Sequence, residues 1–366
     1  MPQPVYLDYN ATAPVRPEAV EAAAEAMAYV GNASSVHRFG RDARRRVETA
    51  REAVATLVGA RPGAVVFTSG GTEANNTVLR AHAGQTVLVS AIEHDCVLGA
   101  CPEAVRIPVT AEGVVDLAAL ERQLAAGPPP ALISVMLANN ETGVVQPVAD
   151  VARLARHYGA RVHCDAIQAA GKIPVDVGEL GADLVTLSAH KLGGPQGVGA
   201  MIVRDDRPLM PHLRGGGQER GYRAGTENVP GIAAFGAAAD KAHAELGQAS
   251  VWAAWREQLE AGARRVCPNV VIHGAGAPRL PNTSCIGLPG LPVETQLMKM
   301  DLAGIAVSAG SACSSGKVRA SHVLTAMGAA QPGEALRVSL GWDTRREEID
   351  RFLSVWRRLA EARAAA

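Results

Sequence analysis

The chain has 366 residues, 36 Lys plus Arg balanced by 36 Asp plus Glu, and 48% apolar residues. That length suits one large domain with a smaller one attached, around a sizeable core. Balanced charge, with no run of like charge standing out as a patch, excludes the field that would concentrate nucleic acid. The N-terminus has no basic stretch leading into an apolar one, and no 18-residue apolar run follows, so the reading is a cytoplasmic, unprocessed chain with no membrane span. Six cysteines (Cys96, Cys101, Cys164, Cys267, Cys285 and Cys313) are scattered without a C-x-x-C pair. This argues against structural disulfides and a zinc site, and no metal is expected.

In chain order, a helical pattern over 39–58 leads into an apolar strand at 64–67, and further strands follow at 86–90, 131–137, 160–164, 184–187 and 198–203. Helical patterns at 117–125 and 148–157 separate some of them, and a rigid Gly-Pro loop at 127–130 precedes one strand. β-Branched runs alternating with helices predict the α/β class, with a largely parallel sheet covered by helices. A long helical stretch over 229–246 ends that pattern. Beyond it come a helix at 252–267, strands at 270–273, 283–286, 305–308 and 336–339, and helices at 294–301 and 321–327, which reads as a smaller α+β domain. Thr344-Arg-Arg-Glu347 predicts a capping box before a terminal amphipathic helix.

Four segments concentrate chemistry at predicted strand ends, where open α/β sheets bind ligands. Thr68–Asn76 is a strand, two glycines and a helix start, so Gly70, Gly71 and Thr72 could cradle a phosphate with free N–H groups and the helix dipole. Alone, it also fits a plain Gly-rich turn. Asp165 leaves an apolar strand one turn before Gln168, and a carboxylate there needs a cationic partner such as a protonated pyridine nitrogen. Lys191 leaves another buried strand, where desolvation favours the neutral amine that forms imines. An isolated lysine also fits a solvated surface charge, so the argument rests on the three features together. The fourth segment, Ser308–Gly316, holds Cys313 among small residues that could not bury it, an accessible nucleophile or a plain surface turn. The other five cysteines read as buried fillers.

Ten ordered motifs resemble a known family over nearly the whole chain. They include Tyr6-Leu-Asp-Tyr-Asn-Ala-Thr12, Phe67-Thr-Ser-Gly-Gly-Thr-Glu73, Glu93-His94, Ala138-Asn-Asn-Glu-Thr-Gly143, His163-Cys-Asp-Ala-Ile-Gln168, Ser188-Ala-His-Lys191, Arg223-Ala-Gly-Thr-Glu-Asn228, Gly310-Ser-Ala-Cys313 and Arg337-Val-Ser-Leu-Gly341. The chain resembles cysteine desulfurases of the nitrogen-fixation and housekeeping iron–sulfur type, which are homodimeric class-V aminotransferase-like enzymes of the pyridoxal 5'-phosphate (PLP) fold type I. Its cysteine stretch is similar to the group with a long, mobile loop. The resemblance implies a large domain over 15–246 with a mostly parallel seven-stranded sheet, and a small α+β domain from 1–14 and 247–366 bearing the cysteine.

By position it implies Lys191 as the Schiff-base lysine, Asp165 on the pyridine nitrogen, Gln168 on the ring hydroxyl and His94 stacked on the ring. Gly71, Thr72, Ser188 and His190 would contact the phosphate, joined by Thr226 from a partner subunit. Asn140 and Arg337 would hold the carboxylate of L-cysteine. Cys313 would take the sulfur as a persulfide and leave alanine, with His94 as acid or base for the thiols. Departures at Tyr9, Ala13, Cys164 and Gly316-Lys-Val-Arg319 touch none of these positions. The implied partner is a sulfur acceptor such as an iron–sulfur scaffold, with tRNA thiolation or nitrogenase supply as other routes. A selenocysteine lyase or another class-V aminotransferase would keep the PLP set, and a non-catalytic sulfur-carrier partner would keep only the fold.

Overall fold

The computed structural model describes residues 4–205, 207, 209–310 and 320–364, so Cys313 lies outside the described residues. The chain begins with β1 (Val5–Tyr6), α1 (Pro17–Met27) and α2 (Arg38–Leu57). Pro17 suits the first helical position because its φ is already fixed and its missing N–H is not needed there. His37 caps α2, its Nδ1 accepting the Gly40 N–H at 3.3 Å.

Strands and helices then alternate: β2 (Val65–Thr68), α3 (Gly71–Arg80), β3 (Val87–Ser90), α4 (Asp95–Leu98), β4 (Val105–Ile107), α5 (Leu117–Ala125) and β5 (Leu132–Ser134). Next come α6 (Val148–His157), β6 (Arg161–Asp165), α7 (Val177–Leu180), β7 (Leu184–Ser188) and β8 (Gly199–Val203). They form a seven-stranded sheet in the order β2-β8-β7-β6-β5-β3-β4. Only β8 runs against the rest, antiparallel to both β2 and β7, so the sheet is mostly parallel, as expected. Every residue of β2, β3, β5, β6, β7 and β8 is buried. Helices cover both faces of such a sheet, which is why these strands read as continuous apolar runs. The edge strand β4 breaks that pattern at exposed Val105 and Arg106 and gave no signal in the sequence.

The chain continues through α8 (Val229–Ala244), α9 (Ala249–Val266), β9 (Val271–Ile272), β10 (Thr283–Gly287), α10 (Val293–Leu302), β11 (Ile305–Ala306), β12 (Ser308–Ala309), α11 (His322–Ala326), β13 (Ala335–Ser339) and α12 (Arg346–Ala364). β12, β13, β10 and β9 form an antiparallel sheet. The expected single strand at 305–308 is two short ones, because β11 pairs in parallel with β1 while β12 joins β13. Val5 and Leu7 lie in the core under this second sheet, with Leu259, Ile286, Leu336 and the rings of Phe352 and Trp356, whose centroids are 5.9 Å apart.

The expected capping box over Thr344–Glu347 does not form, and only its carboxylate half appears, one residue later. Thr344 Oγ1 accepts the Gly341 N–H at 2.9 Å, and Glu348, not Glu347, takes the Arg345 N–H at 2.9 Å. The turn closing on Gly341 engages the hydroxyl and shifts the helix start. No helix among the described residues is long and apolar enough to cross a membrane.

Candidate active site

A cavity of about 380 Å³ opens at the carboxyl ends of the parallel strands, and Ser308 and Arg337 line it from the second sheet, with Gly310 just past β12. Ten of the expected residues meet there: Gly71, Thr72, His94, Asn140, Asp165, Gln168, Ser188, His190, Lys191 and Arg337. Thr226 does not. It is exposed and borders a separate cavity of about 110 Å³ with Arg223 and Glu227.

The phosphate-cradle segment is shaped by close approach. Gly70 precedes α3 at φ 151°, in the region that favours glycine. A Cβ on Gly71 would sit 2.2 Å from Ile167 Cδ1 and 3.4 Å from Ser188 Cβ. With no side chain on Gly71, the start of α3 lies against the ends of β6 and β7 without displacing the Ile167 side chain, and its free N–H groups are brought to the cavity.

Asp165 ends β6 with 4% of its surface exposed. Its Oδ1 accepts the Ile167 N–H at 3.0 Å and its Oδ2 accepts Asn75 Nδ2 at 2.7 Å. Burial raises its pKa, opposed by those hydrogen bonds and by His94 and Lys191. Behind it runs a chain of bonds whose direction can be assigned. Thr186 donates its hydroxyl to Asn75 Oδ1 at 2.6 Å, so His163 Nε2, 3.2 Å from Thr186 Oγ1, must be the donor there. His163 Nδ1 then accepts from Ser134 at 2.8 Å. Burial pushes the His163 pKa down to about 3, which keeps that ring neutral. All donors in the chain point toward Asp165. Asn75 carried no expectation from the sequence, although it lies four residues after Gly71 and so shares its helix face.

Lys191 Nζ donates to the carbonyl oxygens of Asn10 and Ala11, both at 2.7 Å. Burial lowers its pKa to about 8, helped by Arg337 and opposed by Asp8 and Asp165. Gln168 Nε2 donates to the same Asn10 carbonyl at 2.9 Å. Asn10 Nδ2 in turn holds the Asn140 carbonyl at 3.1 Å and Thr283 Oγ1 at 2.9 Å. Asn10 belongs to the N-terminal motif, yet nothing local marks it as the hub of this site.

Arg337 Nη2 lies 2.7 Å from Asp8 Oδ1, and Nη1 donates to the Asn140 carbonyl at 3.3 Å. His94 is open to the cavity, but desolvation by its walls lowers its pKa, with Asp165 opposing. The Cys96 N–H donates to His94 Nδ1 at 3.1 Å, so the neutral ring carries its proton on Nε2. Cys96 departs from the buried-filler reading. It is half-buried on the cavity wall, 3.1 Å from both Asn75 Nδ2 and His94 Nδ1, and burial pushes its thiol up to about 12. Cys101, Cys164, Cys267 and Cys285 are buried as expected. His322 also lines the cavity unforeseen, with Nε2 donating to the Glu93 carbonyl at 2.9 Å.

The profile of the class-V aminotransferase family matches residues 5–352. A cysteine desulfurase of Cereibacter sphaeroides is 43% identical, over 96% of this chain and 94% of that relative. The solved structure of a NifS-like protein from Rickettsia africae superposes with a TM-score of 0.92 at 34% identity, covering 98% of this chain and 100% of that one. The structure of SspA in complex with cysteine superposes with a TM-score of 0.78 at 29% identity, covering 92% and 98%. With a site of this composition and a family matched almost end to end, the chain belongs to the class-V aminotransferases, among their cysteine desulfurases.

Proposed function

We propose that this chain uses pyridoxal 5'-phosphate to remove sulfur from L-cysteine, leaving L-alanine and a persulfide on Cys313 that passes to an acceptor protein. The observation that carries the reading is the meeting, in one cavity, of a buried strand-end carboxylate, a lysine amine lowered to about 8, and a helix start stripped of side chain. These residues fit the cofactor. Gly71, Thr72, Ser188 and His190 would hold its phosphate, Asp165 its ring nitrogen, Gln168 its ring hydroxyl and Lys191 its carbonyl carbon, with His94 over the ring. When bound, the cofactor supplies an electron sink for the bonds that break at Cα and Cβ of the substrate.

Arg337 and Asn140 would orient the substrate carboxylate. Lys191 Nζ, a neutral amine near its pKa, would move the Cα proton. The Cys313 thiolate would attack the substrate sulfur. An S–S bond then forms as the Cβ–S bond breaks, the electron pair leaves with carbon, and a proton delivered there gives the methyl group of alanine. His94 Nε2–H is a donor available for that proton. The buried network behind Asp165 keeps its carboxylate oriented throughout.

We also read residues 15–246 as one domain, and 1–14 with 247–366 as the other, supported by Val5 and Leu7 packing in the second core. A homodimer is supported by apolar exposure around the α1–α2 turn, where Val36 is 89% and Val30 76% exposed. Thr226, on the outside of its own chain, could then reach a partner's cavity. A cytoplasmic setting and an iron–sulfur scaffold as acceptor complete the reading.

The test is a visible spectrum of the purified protein before and after L-cysteine, with product analysis and single-turnover mass spectrometry. Alanine and a persulfide on Cys313 are expected, and Lys191→Ala should lose both the lysine-linked absorption and alanine production. A keto acid product would indicate an aminotransferase instead. A colourless protein that takes up no PLP would sink the reading.

A further inference from the structure

Lys172 is a buried cation that the mechanism above does not use. It follows β6 one helical turn beyond Gln168, with 5% of its surface exposed. Its Nζ donates to Gln168 Oε1 at 2.7 Å and to Asn10 Oδ1 at 2.8 Å. Burial, with Lys191 and Arg337 nearby, holds its pKa well below the ordinary lysine value. Even as a neutral amine it has two N–H groups for these two acceptors.

An amide side chain can be turned end for end at almost no steric cost, so its orientation must come from its partners. The lysine nitrogen donates to both amides, and each turns its oxygen toward Lys172, an orientation that Asn282 Nδ2, 3.3 Å from Asn10 Oδ1, supports for Asn10. Gln168 is left with Nε2, one hydrogen on the Asn10 carbonyl at 2.9 Å and the other free for the cavity. Asn10 is left with Nδ2 on the Asn140 carbonyl and Thr283 Oγ1. We infer that Lys172 is a positioning residue of this site, setting Gln168 as a hydrogen-bond donor to the cofactor side and Asn10 as the donor that holds the Asn140 backbone on the substrate side. In the opposite orientation Gln168 would present a carbonyl oxygen to the cofactor's ring oxygen, replacing an attraction with a repulsion.

The inference rests on the PLP reading, and its test separates the two. Apoprotein is titrated with pyridoxal phosphate and binding is read by absorbance, with no turnover involved. If wild type does not bind, the cofactor reading fails. If it binds, Lys172→Met should weaken affinity about tenfold, the scale of one buried hydrogen-bond partnership. Gln168→Ala should weaken it by a similar factor, and the double variant should bind no worse than Gln168→Ala alone, because Lys172 acts through Gln168. A double variant weakened by the product of the two factors, or a Lys172→Met protein binding like wild type, would overturn the inference. Gln168→Glu gives an independent arm should Lys172→Met fail to fold. It keeps an acceptor for Lys172 but has no N–H, so its affinity should fall as far as that of Gln168→Ala, and retained affinity would refute the donor assignment.

Discussion

Replacing Arg337 by alanine should separate substrate capture from folding, because its proposed grip on the substrate carboxylate and its pairing with Asp8 can be measured apart. The residue is 5% exposed, with one Nη on Asp8 and the other on the Asn140 carbonyl, and its buried Nε has no partner among the described residues. A substrate carboxylate can therefore find a donor that is already desolvated and held in place. One charge-assisted hydrogen bond contributes about 1.5–3 kcal/mol. At about 1.4 kcal/mol per decade, Arg337→Ala should lower kcat/KM for alanine formation from L-cysteine by roughly 10- to 100-fold, and by more if two bonds are lost. The same change leaves the partly buried Asp8 carboxylate unpaired, which should cost about 1–3 kcal/mol of stability. Asp8→Asn removes that unpaired charge, so the Arg337→Ala/Asp8→Asn double variant should regain most of the melting temperature while capture stays impaired. The reasoning is refuted if Arg337→Ala keeps kcat/KM within about threefold of wild type, or if Asp8→Asn restores capture along with stability.

Three further outcomes are expected. In the apoprotein, the lowered Lys191 pKa means that the neutral amine dominates above about pH 8 rather than above the ordinary lysine value. Aldehyde trapping followed by borohydride should therefore label Lys191 with a midpoint near that pH, and labelling that rises only near pH 10 would contradict the burial argument. Cys313→Ser should fold, take up PLP and still change its spectrum on adding L-cysteine, yet release no sulfide. Full activity, with the persulfide mapped to Cys101 or Cys285, would move the sulfur chemistry elsewhere. Glu219→Ala should lower stability by about 3–5 kcal/mol in denaturant melts, since it strands a buried guanidinium. Glu219 receives Arg51 through two 2.8 Å bonds and also takes the Phe67 N–H at 2.8 Å, at a backbone φ of 46°. A loss below about 1 kcal/mol would show that the neighbouring Glu48 suffices for Arg51.

Residues whose surroundings are set by their own strand or helix are legible in the sequence. Asp165 and Lys191 each follow an apolar run, so their place at a strand end follows from local pattern alone. The helices at 117–125 and 148–157 have the bounds their periodicity predicts. Expectation and structure part where a distant segment decides a local conformation. The strand at 305–308 divides because its halves pair with β1 and β13, far away in the chain. Cys96 reads as filler although His94, two residues before it, carries a signal, because the other groups that define its surroundings, Asn75 and the end of β6, arrive from elsewhere.

From the sequence by itself came the α/β class, the strand-end chemistry of Gly71, Asp165 and Lys191, and a resemblance specific enough to assign roles. Each of these depends on residue type and short-range spacing, which a linear string preserves. The tertiary structure decided which polar groups share partners. Asn10 meets Lys172, Lys191 and Asn282 across separations of 162, 181 and 272 residues. It also decided the direction of the hydrogen bonds toward Asp165, and that Thr226 stands outside the cavity formed by its own chain. A donor or acceptor has no direction until its partner is in place, and for these groups the partner is supplied only when the two sheets close on one another.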